Sequence, residues 1–165
     1  MEAFKISCQF CNHTPNDISH LLINCPSASA AWQYVKDTWS SITGSFEDFV
    51  DDIPVIHDYN LLFGTYTNTK PPIHTNPNLY NKYILNTALD MILGNMQYSI
   101  IKTYNLFLNK QRASPGQIVY LFNYQMNLSI NKLINRMSRP GYKRQWVFAK
   151  PNLKTFQTQY ATSFA

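Results

Sequence analysis

Apolar residues recur at spacings of three and four along three stretches of the chain, the period of an amphipathic helix. In the first, Ala28, Ala31, Trp32, Val35 and Trp39 fall on one face that carries two indoles. Ser27, following Cys25-Pro26, is expected to cap this helix, and Gly44 to end it. An aromatic stripe at helical spacing predicts core packing, here against the segment that precedes the helix. In the second stretch, residues 79–111, the apolar positions Ile84, Ala88, Met91, Ile92, Ile101, Leu106 and Leu108 predict one long helix, or two that meet near Gly94-Asn95. The third opens on Ser114-Pro115-Gly116-Gln117, which supplies an N-cap, a proline at the first helical position and a capping-box Gln. Its predicted face is Ile118, Leu121, Phe122, Leu128, Leu133, Ile134 and Met137, and Arg139-Pro140-Gly141 stops it.

Between the first two helices the pattern dissolves. Ser45-Phe46-Glu47-Asp48 offers a start for a short helix through Val50. Pro54, Gly64, Pro71, Pro72 and Pro77 then punctuate a Thr- and Asn-rich stretch, predicting an irregular connector with one buried patch at Leu61-Leu62-Phe63.

Composition narrows the class. With 165 residues, 45% of them hydrophobic, the chain can bury one core and little more. It has no uninterrupted apolar run of about 18 residues, so no membrane partner is expected. Residues 1–7 lack the apolar region of a secretory leader, and the chain reads as intracellular, nuclear or cytoplasmic. In a reducing compartment, three cysteines within the first 25 residues point to metal in preference to disulfides. Charge is polarised along the chain. Between Pro26 and Asn60 only Lys36 stands against six acids, whereas from Lys70 onward twelve Lys and Arg face Asp90 alone. A basic C-terminal half suits a phosphate-backbone partner.

The cysteines carry the most specific chemistry. Cys8, Cys11, His20 and Cys25 follow the spacing C-x2-C-x8-H-x4-C. A two-residue gap lets one tight turn present two thiolates, and the gap between His20 and Cys25 places the second pair on about one helical turn. Four sulfur and nitrogen ligands suit one tetrahedral Zn2+ and leave no open position for an activated water, so the ion is expected to be structural. His13, two residues after Cys11, competes less well with His20, because it would leave Cys25 without a partner on its own turn. Neither a Ser-His-Asp order, a phosphate-cradling glycine loop nor a paired-carboxylate site is evident, and His57 and His74 sit in the connector without partners suited to catalysis. An enzyme and a small-molecule substrate are therefore not expected. The predicted fold is mainly α, with a small N-terminal Cys3His zinc knuckle packed on a helix, an irregular connector and a helical hairpin or bundle. Its parts are residues 5–43, 44–78 and 79–165.

These residues also carry a resemblance. Cys8-Gln9-Phe10-Cys11, then Asp17-Ile18-Ser19-His20-Leu21-Leu22, then Cys25-Pro26 with Trp32 six residues on, resembles the zinc-binding domain of non-LTR (LINE-type) retrotransposon reverse transcriptases. The match spans about residues 8–39, and weaker similarity to fungal members continues through Leu61-Leu62-Phe63-Gly64 and the helices beyond. The resemblance implies zinc ligands at Cys8, Cys11, His20 and Cys25, a family acidic position at Asp17, and a role in engaging template RNA or target DNA. Only seven residues precede Cys8, so the polymerase is expected to be absent. Asp90 as the sole acid after Asp58 argues against a following RNase H domain.

The function expected on these grounds is a non-catalytic zinc module that binds RNA or DNA. Lys143, Arg144, Lys150 and Lys154, interleaved with Trp146, are the candidate phosphate-contacting and base-stacking residues. Two readings compete with it. One is a protein-interaction module that offers its Trp32/Trp39 face to a partner such as a separately encoded reverse transcriptase. The other is a remnant of a decayed element without function.

Overall fold

Prolines that open helices, and side chains that bond back to the backbone, set where each element begins and ends. In a computed structural model of the chain, the residues described here are 8, 10–12, 17–44, 56–57, 61, 77–106, 114–142, 154 and 157–158. They are mainly helical, and no strand occurs among them. Three long helices follow the Cys/His segment: α1 (Pro26–Thr43), α2 (Pro77–Leu106) and α3 (Pro115–Met137). The short helix expected over residues 45–50 and the patch residues Leu62 and Phe63 lie outside the described residues, while Leu61 is helical and buried.

Helix α1 starts two residues earlier than a Ser27 cap would place it. Cys25 is the N-cap, with extended backbone (φ −62°, ψ 129°), and Pro26 takes the first helical position. Proline suits that position because its φ is preset and its missing N–H would be unpaired there anyway, so Ser27 is drawn into the first turn. At the other end Gly44 stands as the C-cap, but at φ −54°, in the right-handed region, with its amide bonded to the Ser40 carbonyl. The helix thus stops without a left-handed turn. Ala28, Ala31, Trp32, Val35 and Trp39 are all buried, as their spacing predicts. Thr38 and Thr43 join them because their hydroxyls donate to the carbonyls of Tyr34 (2.7 Å) and Trp39 (2.9 Å), which satisfies them inside the core.

Helix α2 is continuous through Gly94. Leu85, Ala88, Leu89, Ile92, Leu93, Met96, Ile100 and Tyr104 form its buried face. Ile101 and Leu106, expected inside, are 36% and 57% exposed. Once Leu85, Leu89, Ile92 and Met96 set the helix's rotation, Ile101 lies about 100° past Ile100, outside the stripe. The position expected to permit a break is where α2 is tied to α3. The Asn95 side-chain amide donates to Ser129 Oγ at 3.0 Å and lies 3.2 Å from Met126 Sδ.

Helix α3 begins with the expected capping box. The Ser114 amide donates to Gln117 Oε1 (2.6 Å), and the Gln117 amide to Ser114 Oγ (3.4 Å). Its buried face is Ile118, Phe122, Met126, Ile130 and Leu133. Leu128, assigned to that face from the sequence, is 41% exposed, because the row that meets α2 advances in steps of four from Ile118 and passes Leu128 on the far side. A 3-10 turn, Pro140–Tyr142, follows α3.

The core is one continuous cluster, running from Cys8, Phe10 and Leu22 through the α1 indoles to Ile92, Phe122 and Ile130. Phe10 meets Tyr104 of α2 edge to face, with centroids 5.4 Å apart at 76°, a geometry that favours aromatic pairs. Met126→Ala should therefore cost about 2–5 kcal/mol in urea unfolding, whereas Leu128→Ala should change stability by less than about 0.5 kcal/mol. The reverse order would place α3 in a different register.

Candidate metal centre

Two short backbone devices bring the cysteines and the histidine together. In the first, the Asn12 amide donates to the Cys8 carbonyl at 2.7 Å, and Asn12 adopts φ 63°. This left-handed residue closes the turn that turns Cys8 and Cys11 to the same side. Asn tolerates that conformation better than other residues with a side chain, glycine excepted. In the second, Asp17 caps the turn that carries the histidine. Its Oδ1 accepts from the His20 amide (2.7 Å) while its carbonyl accepts from the Leu21 amide (2.9 Å). The acidic residue three positions before His20 thus orients the ligand-bearing turn through the backbone.

The chain from His20 to Cys25 does not form the α-helical turn that the spacing suggests. His20–Asn24 is a π-helical turn, with the Cys25 amide bonded to the His20 carbonyl at 2.6 Å. A five-residue offset overshoots one α turn, and the wider i→i+5 closure brings the two ends of that interval back to one side. The turn is held from behind by Trp32, whose Nε1 donates to the Leu22 carbonyl at 2.7 Å. A carbonyl freed from its usual helical partner is satisfied by the indole of the next helix.

Together these devices place the Sγ atoms of Cys8, Cys11 and Cys25 and a ring nitrogen of His20 within 4.8 Å of one another. Cys8 Sγ and Cys25 Sγ are 3.8 Å apart, and Cys11 Sγ is 3.2 Å from His20 Nε2. No disulfide links the cysteines, all three of which are free. For metal–sulfur bonds of about 2.3 Å, a tetrahedral edge measures about 3.8 Å, the separation found for Cys8 and Cys25. The Cys11–His20 edge is tighter and would open slightly around an ion. Cys8 and Cys25 are fully buried and His20 is nearly so, while Cys11 borders a cleft of about 760 Å3 that also touches Asp17 and Asn24. The group can hold one metal ion through four protein donors.

Electrostatics oppose an uncompensated thiolate here. Burial pushes the Cys25 thiol up to about 12. The amides of Ala28 and then Ser27, at the start of α1, act against that rise, though neither closes a full hydrogen bond to the sulfur, and Cys8 and Cys11 add to it. Two thiolates at the observed 3.8 Å would repel by about 4 kcal/mol at an effective dielectric of about 20. Without a cation, Cys25 accordingly keeps its proton at neutral pH.

Of the residues expected to contact nucleic acid, Lys154 is helical and exposed, and Lys143, Arg144, Trp146 and Lys150 lie outside the described residues, as do His13 and His74. His57 is exposed. Sequence reasoning missed the left-handed Asn12, the cap formed by Asp17 and the π turn. A polar residue that tolerates positive φ directly after Cys-x-x-Cys was the available sign for the first. No family model matches the chain, and neither a curated protein nor a solved structure is significantly similar to it.

Two predictions follow from this geometry. Asn12→Gly should retain metal affinity, whereas Asn12→Val should weaken it, because a β-branched residue at positive φ is strained by about 1–3 kcal/mol; competition with a chelator reads both. The second concerns pH. Because the folded Cys25 pKa lies above its ordinary 9.0, the metal-free protein's stability from this group is complete below that value and is lost as the pH rises through about 12. Metal must displace the same proton, so apparent affinity should fall about tenfold per pH unit for each proton released as the pH is lowered. An affinity flat between mildly acidic and neutral pH would contradict it.

Proposed function

We propose that the chain is a non-catalytic module in which one Zn2+, held by Cys8, Cys11, His20 and Cys25, secures the N-terminal segment to a helical body that binds RNA or DNA. The observation that carries this reading is the convergence of those four ligand atoms within 4.8 Å. A set of three sulfurs and one imidazole nitrogen suits zinc over harder divalent ions. With all four positions taken by protein, no water can be activated at the metal, which favours a structural over a catalytic ion.

The nucleic-acid role is supported by the concentration of Lys and Arg after Lys70. Descent from a LINE-type reverse transcriptase zinc-binding domain is supported by more than the ligand spacing. Asp17, Leu22 and Trp32, which belong to the resemblance, have structural tasks at the site: one caps the His20 turn, and the other two share a hydrogen bond. On this reading a separately encoded reverse transcriptase is a second partner, reached through a surface other than the α1 indoles. Trp32 and Trp39 are 2% and 4% exposed, so the face once offered to a protein partner is occupied by the chain's own core. No described helix is long and apolar enough to cross a membrane.

Metal analysis of the purified chain should find about one zinc per molecule, with His20→Ala and Cys25→Ser losing both metal and helicity. Titration with RNA and with duplex DNA over a range of salt should give log K falling linearly with log salt concentration. Undetectable or salt-insensitive binding would overturn the nucleic-acid role, and an unaltered fold without metal would overturn the zinc role.

A further inference from the structure

The solvent face of α3 carries two exposed aromatic rings. Tyr120 and Tyr124 are 78% and 57% exposed, and with Leu128 they follow one another at intervals of four residues. Continuing along the same helix, the exposed side chains change from aromatic to a mixture of amide and basic: Asn127, Asn131, Lys132, Asn135, Arg136 and, just past the helix end, Arg139. On a helix of 3.6 residues per turn, Tyr120, Tyr124, Asn127, Leu128, Asn131, Lys132 and Asn135 occupy one arc opposite the buried row from Phe122 to Leu133. Residues 114–142 contain three cations and neither Asp nor Glu.

We infer that the exposed arc of α3, together with the cationic residues around its C-terminal end, is a seat for single-stranded nucleic acid, with Tyr120 and Tyr124 stacking on bases and Lys132, Arg136 and Arg139 contacting the backbone. The inference rests on the nucleic-acid reading above and gives it a surface and a preferred strand state.

Both ends of the helix are concave in the required way. At the C-terminal end a hollow of about 410 Å3 is lined by Lys132, Asn135, Arg136 and Arg139, so three cations and an amide converge on a space that accommodates phosphate. At the N-terminal end a groove of about 430 Å3 lies beside Tyr120, bordered by Leu106, Thr103 and Leu121. That groove is predominantly apolar, as a base flanked by an aromatic ring requires. From Tyr120 to Arg136 the axis rises about 24 Å, enough for a strand of several nucleotides.

The helix's own needs account for only part of this arrangement. Arg136 in the last turn complements the negative end of the helix dipole. That effect fades within one turn and does not explain Lys132, nor does it call for tyrosines left in water. Exposed tyrosines cover no core here, because Ile118, Phe122 and Met126 already fill the row that faces the neighbouring helices. A duplex would bury its base faces and leave the rings without partners, whereas an unpaired strand presents a π face at every base.

The test uses the zinc-loaded full chain, titrated with a labelled oligouridine and with duplex DNA of the same length. Wild type should prefer the single strand. Tyr120→Ala with Tyr124→Ala should weaken single-strand binding by about tenfold or more, while the Phe substitutions at both positions should restore it. Lys132→Gln, Arg136→Gln and Arg139→Gln together should reduce the slope of log K against log salt by about 2, the value for three phosphate contacts on a single strand. All these positions are exposed, so zinc content and helicity should match wild type in every variant. If wild type binds neither nucleic acid, the nucleic-acid reading falls and this surface with it. If wild type binds but the α3 variants titrate like wild type, the surface alone is refuted, and loss on Lys143→Gln with Arg144→Gln would place the strand on the tail. An equal loss of duplex and single-strand binding in the tyrosine variant would refute base stacking.

Discussion

Two sulfur atoms buried 3.8 Å apart cannot both be ionised unless a cation stands between them, and this constraint at Cys8 and Cys25 ties the Cys/His segment to the start of α1. Cys25 is at once a candidate ligand, the C-cap of the π turn and the N-cap of α1. Any ion bound there is therefore coupled directly to where α1 starts and to the direction in which it leaves. Nearly two turns into the helix, Trp32 returns a hydrogen bond to Leu22 within the π turn, so that the helix supports the turn which launches it. Phe10, between the first two cysteines, carries the constraint outward by packing on Tyr104 near the end of α2.

Seen this way, the metal group is one end of the hydrophobic core. The same buried cluster contains Cys8, Cys25, both indoles and the facing rows of α2 and α3. A thiol at Cys25 can be buried alone at little electrostatic cost, but three thiols and an imidazole bring several polar groups together in an apolar setting. A cation bound by all four would convert that cluster into a cross-link between the Cys/His segment and α1. The helical body, by contrast, depends on ordinary packing and on a small polar tie between Asn95 and Ser129.

Much of this was legible from the residues alone. Spacing picks out the four residues whose donor atoms converge, and it picks out the buried indole stripe and the capping box at Ser114, which depend on neighbours within a few residues. What local patterns could not specify was rotation. With apolar residues on several sides of α2, the choice between Ile100 and Ile101 is made by α1 and α3, not by the helix itself. Leu128 was misplaced for the same reason. The turn from His20 to Cys25 was read as α-helical because the average rise and period were applied to a five-residue interval that a π turn fits better. Asp17 stood out only through resemblance, and its physical role as the cap of the His20 turn needed three-dimensional positions.

The central claim is that three cysteine sulfurs and one histidine nitrogen complete the coordination of a structural zinc. X-ray absorption at the zinc edge on the metal-loaded chain tests it most directly. The account predicts three sulfur neighbours at about 2.3 Å and one nitrogen at about 2.0–2.1 Å, with no oxygen ligand. A water or carboxylate oxygen in the first coordination sphere, or fewer than three sulfurs, would contradict it.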